Sequence, residues 1–138
     1  ASEGAMSYAP VVEWLRAPAL RPLWAGLDRA WLRELGGLMP DAPAGAAADS
    51  TRAHSEIAQR PRLFEALARA VTAEREQARL VLLDDLQWCD RETIEWLHYL
   101  MRFPAGGKLL VLATLRDTDA PTDHPLWTLL LQLQERAR

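Results

Sequence analysis

Two short apolar runs, LVLL at Leu80–Leu83 and LLVLA at Leu109–Ala113, restrict what this chain can fold into more than any other feature. Each is unbroken, bounded by charged or turn residues and too short for a helix core, which is the pattern of parallel strands covered on both faces. Between them, Asp90 can cap a helix running through RETIEWLHYLMRF, where Ile94, Trp96, Leu97, Tyr99, Leu100, Met101 and Phe103 occupy most of the circumference. A helix apolar on nearly every side belongs between layers, and Pro104, Gly106 and Gly107 end it. The order strand, buried helix, strand predicts a right-handed βαβ unit and therefore an α/β fold.

Most of the remaining sequence reads as helix. Pro10 to Ala17 predict a short one opened by proline, interrupted by Pro18 and Pro22. From Leu20 to Leu38 the residues Leu23, Trp24, Leu27, Trp31, Leu32, Leu35 and Leu38 recur at steps of three and four, predicting one helix stopped by Gly36, Gly37 and Pro40. The segment DAPAGAAADS, Asp41 to Ser50, reads as a surface loop. Ser50 or Thr51 can cap a helix toward Arg60, and Pro61 can open another, Pro61 to Glu76, although one kinked helix satisfies the same residues. A last helix follows His124-Pro125, with Leu126, Leu129, Leu130 and Leu133 on one face. The expected architecture is thus one α/β domain over 1–138, mostly helical, with a helical segment at 10–76 and a short parallel sheet within 79–136.

Composition narrows the function classes. With 138 residues, 49% of them hydrophobic, and a net charge of −3, the chain suits a folded domain rather than a disordered one. Its basic residues, all arginines except Lys108, are dispersed, so no electrostatic footprint for nucleic acid appears. The lone Cys89 allows no internal disulfide, which makes a cytoplasmic setting the expectation. No apolar run approaches the roughly 20 residues of a membrane helix, and the opening ASEGAMSYAP lacks the parts of a signal peptide.

The first strand ends in two adjacent carboxylates, Asp84 and Asp85. Burying one ionised carboxylate costs several kcal/mol unless a partner compensates it. In open α/β sheets ligands bind beyond the carboxyl ends of the strands, and Asp84, Asp85, Thr114 and Arg116 all fall at such ends. Two carboxylates there can hold a hydrated Mg²⁺, which usually borrows the rest of its shell from phosphate, while an arginine one strand over can bridge to that phosphate. The plainer alternative is a solvated loop start or a helix cap, with Arg116 pairing with Asp117 or Asp119 for about 0 to 1 kcal/mol.

Other chemistry finds less support. Cys89 and His98 are too far apart in sequence to suggest a thiol nucleophile, and His54, His98 and His124 are too scattered for a metal site. Asp117, Asp119 and Asp123 lack the glycine and distal glutamate of a Ca²⁺ loop. The six tryptophans fall mostly on apolar helix faces, as packing residues do.

The segment L-V-L-L-D-D-L-Q-W-C-D, Leu80 to Asp90, resembles the Walker B region of the STAND branch of AAA+ P-loop ATPases, the module carried by large LuxR-type, MalT-like and cyclase-linked bacterial regulators. Y-A-P-V-V-E-W-L-R (Tyr8 to Arg16) and R-L-F-E-A-L (Arg62 to Leu67) resemble the segments upstream of that motif. Downstream, E-W-L-H-Y-L (Glu95 to Leu100), L-L-V-L-A-T-L-R (Leu109 to Arg116) and H-P-L (His124 to Leu126) are similar as well. Cys89 departs from the pattern, since a small residue such as Ala is commoner there. The resemblance implies a partial P-loop-NTPase-like domain in which Asp84 is the Mg²⁺-side acid, Asp85 the water-activating carboxylate, and Arg116 with Thr114 the sensor after the next strand.

A P-loop, G-x-x-x-x-G-K-[ST], cradles phosphates with backbone N–H groups. The one candidate, Gly106-Gly107-Lys108, has Arg102 and Leu109 where the first glycine and the hydroxyl belong, and it precedes a strand instead of a helix. The resemblance therefore implies that the P-loop half precedes this segment in a longer regulator. ATP and Mg²⁺ are expected in that parent and neither in this chain alone; the acids should stand in water, and DNA contact would come through another domain. The Leu109 strand should present a bare edge, to be covered by a homodimer or by repacked helices. The alternative function is a protein-interaction or oligomerisation module without nucleotide chemistry.

Overall fold

The computed structural model describes residues 7–39, 56–73, 78–104, 108–116 and 118–136. The expected loop at 41–50, the caps at Ser50 and Thr51, His54, Gly106, Gly107 and Asp117 lie outside them. Two strands, β1 (Arg79–Leu83) and β2 (Leu109–Ala113), run parallel with Leu80 opposite Leu110 and Leu82 opposite Leu112. Helix α5 (Arg91–Leu100) connects them, so strand, helix and strand follow in the predicted order. The protein is an α/β fold, mostly helical, with a short two-stranded parallel sheet.

The N-terminal half packs around α4 (Glu56–Val71), which touches α1 (Ala9–Arg16), α2 (Arg21–Ala25), α3 (Arg29–Gly36) and α5. Small and branched residues make this possible: Ala66, Leu67, Ala68, Ala70 and Val71 are buried, with Val11, Val12 and Leu15 of α1 and Leu35 of α3 in the same core. Alanine at three of those α4 positions allows helices to approach closely without losing helix propensity. Of the two arrangements open at Pro61, the structure has the single helix, with Pro61 inside it. Conversely, the single helix expected from Leu20 to Leu38 is two. Gly26 costs helical stability, and Asp28 adopts an extended backbone whose carbonyl accepts from the N–H groups of Trp31 and Leu32 at 2.9 and 3.1 Å, starting α3 afresh.

Asp90 joins the start of α1 to the start of α5. Its carboxylate caps α5 by accepting from the backbone N–H and hydroxyl of Thr93, at 2.8 and 2.7 Å. The same Oδ1 accepts from the backbone N–H of Tyr8 at 3.1 Å, fixing the start of α1 beside the start of α5. Along α5 and α4 the rings of Tyr8, Phe64, Tyr99 and Phe103 follow one another at centroid distances of 6.2, 5.6 and 5.8 Å. Trp96, fully buried, leans on Trp14 at 6.2 Å. Helix α6 (Leu126–Arg136) packs on α5, with Leu126 and Leu129 buried.

The sheet departs from expectation. The strands are covered on one face only: Leu83 is buried and Val81, Leu109 and Val111 pack partly against the core. Leu80, Leu82, Leu110 and Leu112 are 56, 61, 64 and 57% exposed on the other face. Unbroken apolar runs do not reveal which face is covered, because a strand sends alternate side chains to opposite sides whatever lies there. Among the described residues β1 and β2 have only each other as strand neighbours.

Candidate functional site

The backbone just beyond β1 is fixed by Thr114, the first residue beyond β2. Thr114 N–H donates to the Leu83 carbonyl at 2.9 Å, continuing the ladder by one bond, and the Leu86 N–H returns to the Thr114 carbonyl at 2.9 Å. Asp84 and Asp85 are enclosed between these bonds. The Thr114 hydroxyl donates to Asp84 Oδ1 and accepts from the Asp85 N–H at 3.0 Å. Asp84 is exposed and Asp85 half-buried.

Asp85 has φ 54 and ψ 53, in the left-handed region where non-glycine residues are uncommon and Asp is among the better tolerated. That conformation reverses the chain into the short 3-10 turn Leu86–Trp88. The turn drives Leu86 and Gln87 inward and leaves Trp88 71% exposed. Gln87, only 2% exposed, donates from Nε2 to Asp85 Oδ1 and accepts the Arg116 N–H at Oε1, both at 3.0 Å. Arg116 Nε lies 3.6 Å from the same Asp85 Oδ1. Both partners are substantially exposed, so this ion pair contributes at most about 1 kcal/mol.

All four residues singled out in the sequence, Asp84, Asp85, Thr114 and Arg116, therefore meet at the carboxyl ends of two adjacent parallel strands. Arg116 faces Asp85, not Asp119. Gln87 is the residue that sequence reasoning passed over. Its signal was available: a polar amide between Leu86 and Trp88, in a turn following a buried strand end, must find partners once buried.

The arrangement presents one exposed carboxylate carrying a hydroxyl partner, a second oriented by an amide, and a mobile-length guanidinium beside it. Mg²⁺ is commonly held by one or two carboxylates plus phosphate oxygens, and the exposed Asp84 carboxylate is a donor of that kind. A protein-only cage would need more: among the described residues no group of three or more His, Cys, Asp or Glu is placed to hold a metal ion. Two surface hollows, of about 580 and 530 Å³, are lined by residues from Arg16 to Ala25 and from Phe64 to Pro104, and neither includes Asp84, Asp85, Thr114 or Arg116. Asp84, Thr114 and Arg116 are exposed on this rim and form an outward ledge.

Cys89, next to the turn, is half-buried. Burial, reinforced by the Asp90 charge, pushes its thiol up to about 11, which opposes any nucleophilic role at neutral pH. Among the described residues no helix is long and apolar enough to cross a membrane. The chain matches no protein-family model, no curated protein and no solved structure.

Proposed function

We propose that this chain carries the Walker B and sensor part of a nucleotide-dependent switch, in an ATP-dependent signal-transduction or transcription regulator of the STAND type. The observation that supports it is the convergence of Asp84, Asp85, Thr114 and Arg116 on one ledge, in the residue types and strand order that Mg²⁺–phosphate chemistry uses. In this reading Asp84 takes the Mg²⁺ side, and Thr114 holds it in place. Asp85 accepts the proton of an attacking water, and Arg116 leaves Asp85 for a terminal phosphate, whose greater charge competes for the guanidinium. Bound Mg²⁺ would neutralise phosphate charge and orient its oxygens. The glycine loop that cradles the phosphates belongs to a segment of the parent outside these 138 residues, and DNA is reached only through another domain.

The parent reading frame tests this. A G-x-x-x-x-G-K-[ST] encoded tens of residues upstream of Ala1, together with Mg²⁺-dependent nucleotide binding by the longer protein, is the expected result. A start codon close to Ala1 would contradict it.

The second reading is a protein-interaction module, favoured by the bare leucine face. Leu80, Leu82, Leu110 and Leu112 form a contiguous apolar surface of a kind that marks contact sites when it approaches several hundred Å². A light-scattering mass above that of one chain, reduced to a monomer by charge at Leu82 or Leu110, would favour this second reading.

A further inference from the structure

We propose that Gln87 is a positioning residue that ties the Asp85 carboxylate to the Arg116 backbone and selects Asp85 Oδ2 as the oxygen that faces a reacting water. The inference rests on the nucleotide reading above and adds a residue to it.

A primary amide has two donor hydrogens and one acceptor oxygen, and Gln87 uses each kind toward a different strand end. Its NH₂ meets the carboxylate beyond β1; its oxygen meets the Arg116 N–H beyond β2. The reverse orientation would set oxygen against carboxylate and NH₂ against N–H, so the two neighbours dictate one orientation. Burial makes that choice consequential, because at 2% exposure water cannot replace either bond.

The consequence for Asp85 is asymmetric. Oδ1 accepts from the Gln87 amide, and the Arg116 guanidinium stands 3.6 Å from the same oxygen as an ion pair without a hydrogen bond. Among the described residues nothing donates to Oδ2, which is left as the proton acceptor. An Asp in the left-handed region with a freely rotating carboxylate would present either oxygen; the amide removes that freedom. No bond to substrate is assigned to Gln87 itself.

Two substitutions separate positioning from packing. Gln87→Glu keeps shape and the acceptor for Arg116 N–H but turns the donor facing Asp85 into a like charge. Gln87→Met keeps approximate volume and loses both. In the 138-residue chain, hydrogen exchange at the Arg116 amide should accelerate roughly tenfold or more in Gln87→Met and stay within about threefold in Gln87→Glu. In the nucleotide-hydrolysing parent, both should lower kcat by roughly ten- to a hundredfold with KM within about threefold, the scale of a misplaced general base. Unchanged Arg116 exchange in Gln87→Met, or unchanged kcat in Gln87→Glu, overturns the inference. A parent that neither binds nor turns over nucleotide overturns the nucleotide reading instead, and with it the assignment of Oδ2; the exchange comparison then still decides whether Gln87 links the two strand ends.

Discussion

The Asp85 N–H donates to the Thr114 hydroxyl at 3.0 Å across the gap between the strand ends, and the same hydroxyl passes its own proton toward Asp84. One hydroxyl thus serves as acceptor and donor at once, which only a serine or threonine can do in that space. Thr114→Val preserves the shape and removes both bonds. It should destabilise the chain by about 1 to 2 kcal/mol and accelerate exchange at the Asp85 amide; a loss under a few tenths would show the hydroxyl to be solvated rather than shared. Denaturant titration with exchange measured at Asp85 checks both.

Asp90 should matter more for stability than either site carboxylate. It caps α5 and also holds the Tyr8 N–H from 82 positions away in sequence, so Asp90→Ala removes a helix cap and a tertiary bond together. A loss of about 2 to 3 kcal/mol is expected, against about 1 for an ordinary cap. Asp90→Asn, which can still accept at Oδ1, should recover more than half. Thermal unfolding of the two variants decides it.

The Cys89 thiol should resist alkylation. A shift from its ordinary 9.0 to about 11 lowers the thiolate fraction at pH 8 roughly a hundredfold, before any steric protection. Because the unfolded chain ionises this thiol first, the group contributes stability that is whole below about pH 9 and is lost as pH rises through 11. Iodoacetamide labelling of the native chain at pH 8 should lag the denatured chain by at least tenfold; equal rates would mean an open thiol.

Much of this architecture is legible in the residue order. The two apolar runs mark β1 and β2, Asp90 marks the start of α5, and the acids and Arg116 mark the strand ends, because each signal is local or follows from one βαβ connection. What fails is what depends on neighbours. Whether Pro61 divides a helix or lies within one is left open by the residue order, and α4 runs through it with Ala66 to Val71 in the core, apart from the exposed Arg69. Whether the second sheet face is covered depends on chain packing that an LVLL run cannot encode. Gln87 carries a local sign, a polar amide between Leu86 and Trp88, but its burial follows from the left-handed turn at Asp85, which an ordinary aspartate does not announce.

Whether the ledge forms part of a nucleotide pocket is tested most directly by calorimetric titration with Mg-ATP. The 138-residue chain should show no measurable heat of binding, while a longer protein carrying the proposed glycine loop should bind in a Mg²⁺-dependent way. Asp84→Asn should abolish that dependence and cost the 138-residue chain less than about 1 kcal/mol of stability, since Asp84 is exposed and keeps an acceptor for Thr114. Micromolar affinity in the 138-residue chain, or binding by the longer protein that is indifferent to Asp84, would contradict the account.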